Sequence, residues 1–181
     1  MISGLLLAGG VVLSTHVVSH ATRQGIEAGD AALLLSVLGI AASLGSLLWG
    51  GIADRFGPVQ ALKGLAVIQA LFWVVIIQQG SFATLATVVA LLSICGGGVH
   101  PAICSTVASV YGQAHFGAVL GRVMLLITPF NFVAAPLAGM LLDMHGSYTT
   151  AFYLMAALNA GALALLLVLA SRFRPGEPAL S

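Results

Sequence analysis

The chain has 181 residues, of which 60% are hydrophobic and only 6% are charged, and its net charge is +1. A soluble domain carries about 25% charged residues, because water must wet its surface. The composition therefore excludes an ordinary soluble domain and predicts that lipid is the solvent for most of the chain. The near-neutral charge gives no reason to expect a nucleic-acid partner.

The chain divides into six apolar runs, each near the length of about 20 residues that a membrane-spanning helix needs. Short breaks with turn or charged residues separate them. An all-helical fold follows, because backbone groups in lipid must find their hydrogen bonds within their own segment. We predict an all-α membrane protein with spans at 2–19, 31–52, 61–78, 82–111, 118–142 and 149–171, and a tail at 172–181.

The basic residues predict the orientation, since they concentrate on the cytoplasmic side of a membrane protein. With a cytoplasmic N-terminus, Arg23 is the basic residue that falls outside. The others fall at cytoplasmic ends, at Arg55, Lys63, Arg122, Arg172 and Arg174. We therefore predict a multi-pass protein of the plasma (inner) membrane with both termini and the tail in the cytoplasm.

Two pairs of small residues four positions apart lie in or next to the span 118–142. They are Gly117 with Gly121, and Ala135 with Gly139. Packing holds helices together in lipid, so such pairs let two backbones approach closely. The spacing predicts tight helix contacts at both pairs and assigns them no chemistry.

Two polar residues lie near the middle of predicted spans, where ionisable groups are costly and functional by default. His100 follows three glycines, Gly96 to Gly98, which would leave room for a ligand. It could bind a carboxylate or carry a proton; the alternative is a neutral histidine bonded to a nearby carbonyl. Asn131 could touch a substrate or bond one helix to another.

Two further histidines, His16 and His20, lie four residues apart toward the outer end of the first span. That spacing puts both on one helix face and would suit a metal, but a metal site needs more ligands. We predict no metal site. The open alternatives are an entry point for substrate or protons and an interfacial polar face.

Three stretches in this order resemble the major facilitator superfamily. The first stretch resembles the cytoplasmic connection between two helices of that superfamily. The second resembles the connection between the fourth and fifth helices of a half, and the third resembles the connection between the last two helices. They read Gly50-x-x-x-Asp54-Arg55-x-Gly57, then Gly96-Gly97-Gly98-x-His100-Pro101 with Tyr111-Gly112, and Pro136-Leu137-Ala138-Gly139 with Asp143, Gly146 and Tyr148. The set is most similar to the monocarboxylate and oxalate–formate branch.

This resemblance implies a fold, a function and a partner. The fold would be one six-helix half of the bundle, apparently the C-terminal half, with the first and fourth helices lining the cavity. The function would be transport of a small organic anion by alternating access as part of a secondary transporter, by symport or antiport. A second six-helix half would complete the substrate site between parallel repeats, and His100, Asn131, His16 and His20 would be candidates for the pathway.

The charged connection carries the implied gating motif: Gly50, Asp54, Arg55 and Gly57. In the family, the Asp of this motif holds one state by charge pairing and by lying near a helix N-terminus, where anions are favoured. The alternative is a hinge whose charges merely mark the interface. The motif departs from the family after Gly57, because Lys63 is the next basic residue.

No enzyme motif and no cofactor-binding motif stands out, so we predict neither catalysis nor a cofactor. The expected partners are the lipid bilayer, a small solute and the second half. The competing hypothesis is a membrane remnant or assembly module that does not transport and that acts only beside another half.

Overall fold

The computed structural model describes residues 1–78 and 80–172, and over them it is all helical. The predicted tail therefore lies outside the described residues, apart from Arg172 at the end of the last helix. A short 3-10 helix, Ile76–Gln78, follows the third long helix. The long helices are α1 (Ile2–Arg23), α2 (Ala28–Phe56), α3 (Pro58–Val75), α4 (Phe82–His145) and α5 (Thr149–Arg172).

Local sequence accounts for the helix ends. Ser81 caps α4 by accepting a hydrogen bond from the backbone N–H of Thr84, at 3.3 Å. Pro58 begins α3, where its missing N–H costs nothing. Between α2 and α3 only Gly57 is non-helical, with φ 89° and ψ 146°, a backbone conformation that glycine adopts without strain. The predicted break between the spans 31–52 and 61–78 is thus a single residue.

All five long helices are long and apolar enough to cross a bilayer. The shortest, α3, has 18 residues and extends about 27 Å at 1.5 Å per residue, close to the roughly 30 Å of a hydrocarbon core. The prediction of an all-α membrane protein is confirmed. The helices begin or end up to four residues beyond several predicted spans, because polar residues such as Arg23 and Asp54 continue the helices into the interface.

The fourth helix covers two predicted spans and the break between them. Its 64 residues would extend about 96 Å if straight, three times the thickness of a hydrocarbon core. Gly112 interrupts it with non-helical angles, φ 68° and ψ 174°. The predicted break at 112–117 is therefore this one glycine, which divides α4 into segments 82–111 and 113–145.

The segment 82–111 packs against α2 with its backbone close to that of the neighbouring helix. A methyl group at Gly45 would overlap the backbone of Ile94, and one at Gly97 would overlap the backbone of Ala42. At Gly98 it would overlap the Trp49 side chain. These three positions hold no side chain because the partner helix occupies the space.

The segment 113–145 packs against α1. Phe130 fills the space beside Gly4, and a side-chain carbon at Gly139 would lie 3.8 Å from His16 Cε1. By contrast, nothing in the described chain comes within 4 Å of such a carbon at Gly117 or Gly121. The predicted tight contact at Gly117 and Gly121 is therefore wrong within this chain, since both lie on a face that no described helix covers.

Two hydrophobic clusters form the core, one toward each end of the bundle. One cluster centres on Trp73 and Phe152, where α1, α3 and α5 meet. The other contains Trp49 and Leu65 and joins α2, α3 and the segment 82–111. Large apolar side chains also point outward, with Leu47 78% and Phe132 77% exposed. Such a surface is stable only against lipid or another protein.

We predict that Gly45→Ala destabilises the bundle, because its methyl group meets backbone atoms of Ile94 that cannot rotate away. Overpacking of this kind costs about 1–3 kcal/mol. Thermal unfolding in mild detergent measures the effect. Gly39→Ala, on the same helix with open space around it, is the matched control and should unfold at or above the wild-type temperature. Equal midpoints for the two variants would contradict the close crossing.

Candidate functional site: polar residues at the two ends of the bundle

The histidine in the last third of α1 joins three elements. His16 Nε2 lies 2.9 Å from the carbonyl oxygen of Ala135 in α4, and Nδ1 lies 3.0 Å from the hydroxyl of Tyr148, just before α5. A carbonyl oxygen can only accept, so Nε2 donates; in the neutral ring Nδ1 then accepts from Tyr148. We call His16, the Ala135 carbonyl and Tyr148 the His16 network. It leaves neither ring nitrogen of His16 free.

One turn further along, His20 is buried among aromatic rings. Its ring packs edge-on against Phe152, with centroids 4.8 Å apart, and against Tyr148 at 5.8 Å. Its Nε2 lies 3.1 Å from the side-chain amide nitrogen of Gln24. Arg23 nearby donates to the carbonyl oxygen of Gly146 at 3.4 Å. This end of α1 is thereby fastened to the turn between α4 and α5.

These contacts bear on the alternatives for His16 and His20. The described residues contain no cluster of three side chains that could hold a metal ion. A ligand could reach His16 only by displacing Tyr148 or the Ala135 carbonyl. The geometry therefore favours the polar face that holds helices together over the entry point for substrate or protons.

His100 lies at the other end of the bundle, on an exposed face of α4. It makes no hydrogen bond with another described residue. Of the three glycines expected to leave room for a ligand beside it, Gly97 and Gly98 do not, because Ala42 and Trp49 of α2 occupy that space, whereas the space at Gly96 is open. The exposed His100 side chain is open to contacts outside the described residues.

The charged connection lies at the same end. A side-chain carbon at Gly50 would lie 3.8 Å from Cβ of Pro101, the neighbour of His100. Asp54 and Arg55 follow in the last turn of α2, both exposed. Four residues on a helix rise about 6 Å, so Asp54 is about one turn closer to the membrane surface than His100.

Asp54 lies in the last turn of α2, at the negative end of that helix dipole, where an anion is disfavoured. The charge pairing and the nearby helix N-terminus that the resemblance implies for Asp54 stay predictions. Asp54 forms no ion pair with a described residue, and the Arg55 guanidinium lies 5.5 Å from the ring centre of Phe56. Any charge partner of Asp54 therefore comes from outside the described chain.

Asn131 lies in α4 beside Phe130, half-buried, and its Oδ1 is buried without a hydrogen-bond partner among the described residues. Asn131 Oδ1 therefore does not bond another helix among the described residues, which was the second alternative for this residue.

Sequence reasoning missed Tyr148 as the partner of His16, since the two are 132 residues apart. It also missed Gln69 and Ser93, which are polar and buried.

Comparison with known proteins decides the family. The model of the Major Facilitator Superfamily matches residues 1–180. This chain belongs to the major facilitator superfamily. The membership confirms the resemblance drawn from the sequence, and it places the chain in a family of membrane transporters and not of enzymes.

Several curated superfamily members are similar over most of the chain. Monocarboxylate transporter 13 of Rattus norvegicus is 30% identical over 159 residues, which are 84% of this chain and 36% of the relative. Monocarboxylate transporter 12-B of Danio rerio is 29% identical over 94% of this chain and 37% of the relative. The uncharacterized MFS-type transporter YuxJ of Bacillus subtilis is 31% identical over 65% of this chain and 31% of its own length. The chain therefore spans about a third of the curated superfamily members that it matches.

We predict that Tyr148→Phe destabilises this superfamily bundle, because it removes the hydroxyl that bonds His16 and leaves one ring nitrogen unpartnered. Hydrogen bonds between membrane helices contribute about 0.6 kcal/mol and up to about 2 kcal/mol. Thermal unfolding in lipid nanodiscs measures the loss. Tyr153→Phe is the control, since Tyr153 is 53% exposed. A Tyr148→Phe midpoint equal to that of the control would show that the His16 network does not hold the helices.

Proposed function

We propose that this chain is the C-terminal six-helix half of a secondary transporter that moves a small organic anion by alternating access. The observation that carries the proposal is the similarity to monocarboxylate transporters over 84% and 94% of the chain. A monocarboxylate or dicarboxylate is the expected substrate, with symport or antiport as the coupling mode.

Six crossings require that α4 passes through the membrane twice. Contacts between α1 and segment 113–145 support parallel directions, because the pairs Gly4 with Phe130, His16 with Ala135 and Arg23 with Gly146 advance together. The same holds for α2 and segment 82–111, because Leu34 shares one hydrophobic cluster with Leu85, while Ala53 shares the other with Val107.

The directions of α1 and α2 complete this argument. Only residues 24–27 connect these two helices, and so short a connection makes neighbouring helices antiparallel. The two segments of α4, each parallel to one of them, then run in opposite directions on either side of Gly112. With six crossings, both ends of the chain lie on the same side of the membrane. The distribution of the basic residues favours the cytoplasmic side.

Polar groups that have no partner among the described residues support a second half. An exposed histidine facing hydrocarbon would be costly, so residues such as His100 face a bundle interior or an aqueous cavity. Superfamily transporters are built from two parallel repeats with the substrate between them at mid-depth. We propose that His100 and Asn131 Oδ1 face that space, where they would meet the solute, water or the second half.

Uptake by reconstituted protein tests the function. The natively produced protein, purified with whatever second half accompanies it, is placed in liposomes and supplied with radiolabelled lactate, pyruvate, formate or oxalate. We expect saturable uptake of at least one anion, driven by an inward proton gradient or by anion loaded inside. Uptake of none of them by folded protein would contradict the proposal and favour a non-transporting module.

We predict that Asp54→Asn slows transport in the complete transporter, because the carboxylate pairs with a cation beyond the described residues in one of the two states. Losing one such contact changes a conformational equilibrium by about 1–3 kcal/mol, about 5- to 150-fold in state population. Uptake rate and state-dependent labelling measure it. Asp143→Asn, an exposed carboxylate at the opposite end, should leave both unchanged. The gating role fails if Asp54→Asn behaves as this control does.

We predict that His100→Ala weakens substrate binding or flattens the pH dependence of uptake, because the imidazole donates to the anion or carries the coupled proton. Loss of a hydrogen bond to a charged group costs about 1.5–3 kcal/mol, which is roughly a 10- to 150-fold loss of affinity. His145→Ala is the control, since His145 bonds its own helix at the Leu141 carbonyl. Unaltered affinity and pH profile in His100→Ala would end this assignment.

A further inference from the structure

A small cavity, partly open to the surface of the chain beside Gly10, lies where α1, α2, α3 and the segment 82–111 meet. Its volume is about 60 Å³. Most of its wall is apolar and includes the Trp73 ring, Leu92 and the backbone at Gly9 and Gly10. Two polar side chains line it as well: Gln69 from α3 and Ser93 from α4.

Both polar side chains are buried without a partner. Gln69 is 2% exposed and Ser93 is 4% exposed. Neither Gln69 Nε2 nor Ser93 Oγ has a hydrogen-bond partner among the described residues. A buried donor without a partner is unfavourable, because it has lost its bonds to water and gained none in return. The two groups come from different helices and border the same space, so one ligand could satisfy both.

The chemistry of the cavity selects that ligand. A water molecule needs about 10–15 Å³ of such space together with two to four polar partners, and the volume is sufficient for one or more. Ca²⁺ or Mg²⁺ would need six or more oxygen ligands and Zn²⁺ would need His, Cys or carboxylate ligands, and the lining contains neither a charged side chain nor a His or Cys. A larger organic solute would not fit. We propose that this cavity is a hydration site in which water bridges Gln69 Nε2 and Ser93 Oγ.

This bound water goes beyond the proposed transport function and does not depend on it. The amide nitrogen of Gln69 donates to the water oxygen, and the water donates to the hydroxyl of Ser93, which turns to accept. Water thus supplies the polar contact between α3 and α4 that the two side chains do not make directly. The water also hydrates the place where the four helices meet, within the membrane-spanning part of the chain.

The direction in which substitutions at Ser93 and Gln69 shift the thermal unfolding midpoint distinguishes a hydrated site from a dry one. Ser93→Ala, Gln69→Met and the double variant are unfolded thermally in lipid nanodiscs, with the protein as natively produced. In a hydrated site each single variant lowers the midpoint, because the other polar group and the water lose a partner. The double variant should lose less than the sum of the singles, because no unpaired polar group remains. Ser43→Ala, whose hydroxyl bonds Gly39 of its own helix on an exposed face, is the control.

Radical footprinting reports the water itself, since radiolysis of bound water oxidises the side chains beside it. Trp73 is 1% exposed, so radicals from bulk solvent do not reach it. We expect Trp73 oxidation in the wild type to fall several-fold in the double variant, while that of Trp49, outside the cavity, stays constant.

Two results would overturn the proposal. A Ser93→Ala midpoint at or above wild type, with Trp73 oxidation unchanged in the double variant, would mean that the site is dry and its polar groups are unpaired. Lower midpoints in the single variants, with wild-type Trp73 oxidation at background, would mean that Gln69 and Ser93 bond each other directly.

Discussion

The close crossing of α2 with the first segment of α4 is the constraint on which the rest of the bundle depends. In lipid, apolar side chains gain nothing from leaving their solvent, so helices associate through packing at short range. Gly45 and Gly97 allow this approach, because backbone atoms of Ile94 and Ala42 occupy the places of their missing side chains. The crossing fixes α2 and the segment 82–111 as a pair. The charged connection after α2 and His100 on α4 are thereby brought to one end of the bundle.

The polar residues of the chain fall into two classes by what they contact. His16 has a partner at each ring nitrogen, and His20 is enclosed by aromatic rings and Gln24. Their polar contacts are made within the described residues, which favours a structural role for both. His100, Asp54 and Asn131 Oδ1 have no partner among the described residues. Groups of this second class are free to contact something beyond the described residues, such as a solute, water or a second half.

The sequence was sufficient to predict the helices, the membrane environment and the family. Apolar runs of membrane length identify helices because lipid leaves the backbone no other way to satisfy its hydrogen bonds. The sequence was not sufficient to predict where the helices begin and end, since the helices continue past the apolar runs to include Arg23 and Asp54. The role of Gly97 and Gly98 was also misjudged: a glycine that accommodates a neighbouring helix and one that accommodates a ligand look alike in sequence.

The polar contacts could not be predicted, for a physical reason. His16 meets Tyr148 only because α1 and the start of α5 become neighbours in the folded bundle, and no periodicity along one helix reports that proximity. The same holds for Gln69 and Ser93, which lie on different helices around one cavity. The placement of the pathway residues His100 and Asn131 against a substrate remains a prediction, because it depends on contacts beyond this chain.

The mass of the smallest particle that transports tests the central claim most directly. The natively produced protein is extracted in mild detergent, separated by size, and each fraction is assayed for anion uptake and weighed both native and denatured. The account predicts that active particles hold two six-helix halves, either as one polypeptide near twice 18.4 kDa or as an 18.4 kDa chain with a second subunit. An active particle that contains a single 18.4 kDa chain and nothing else would contradict it.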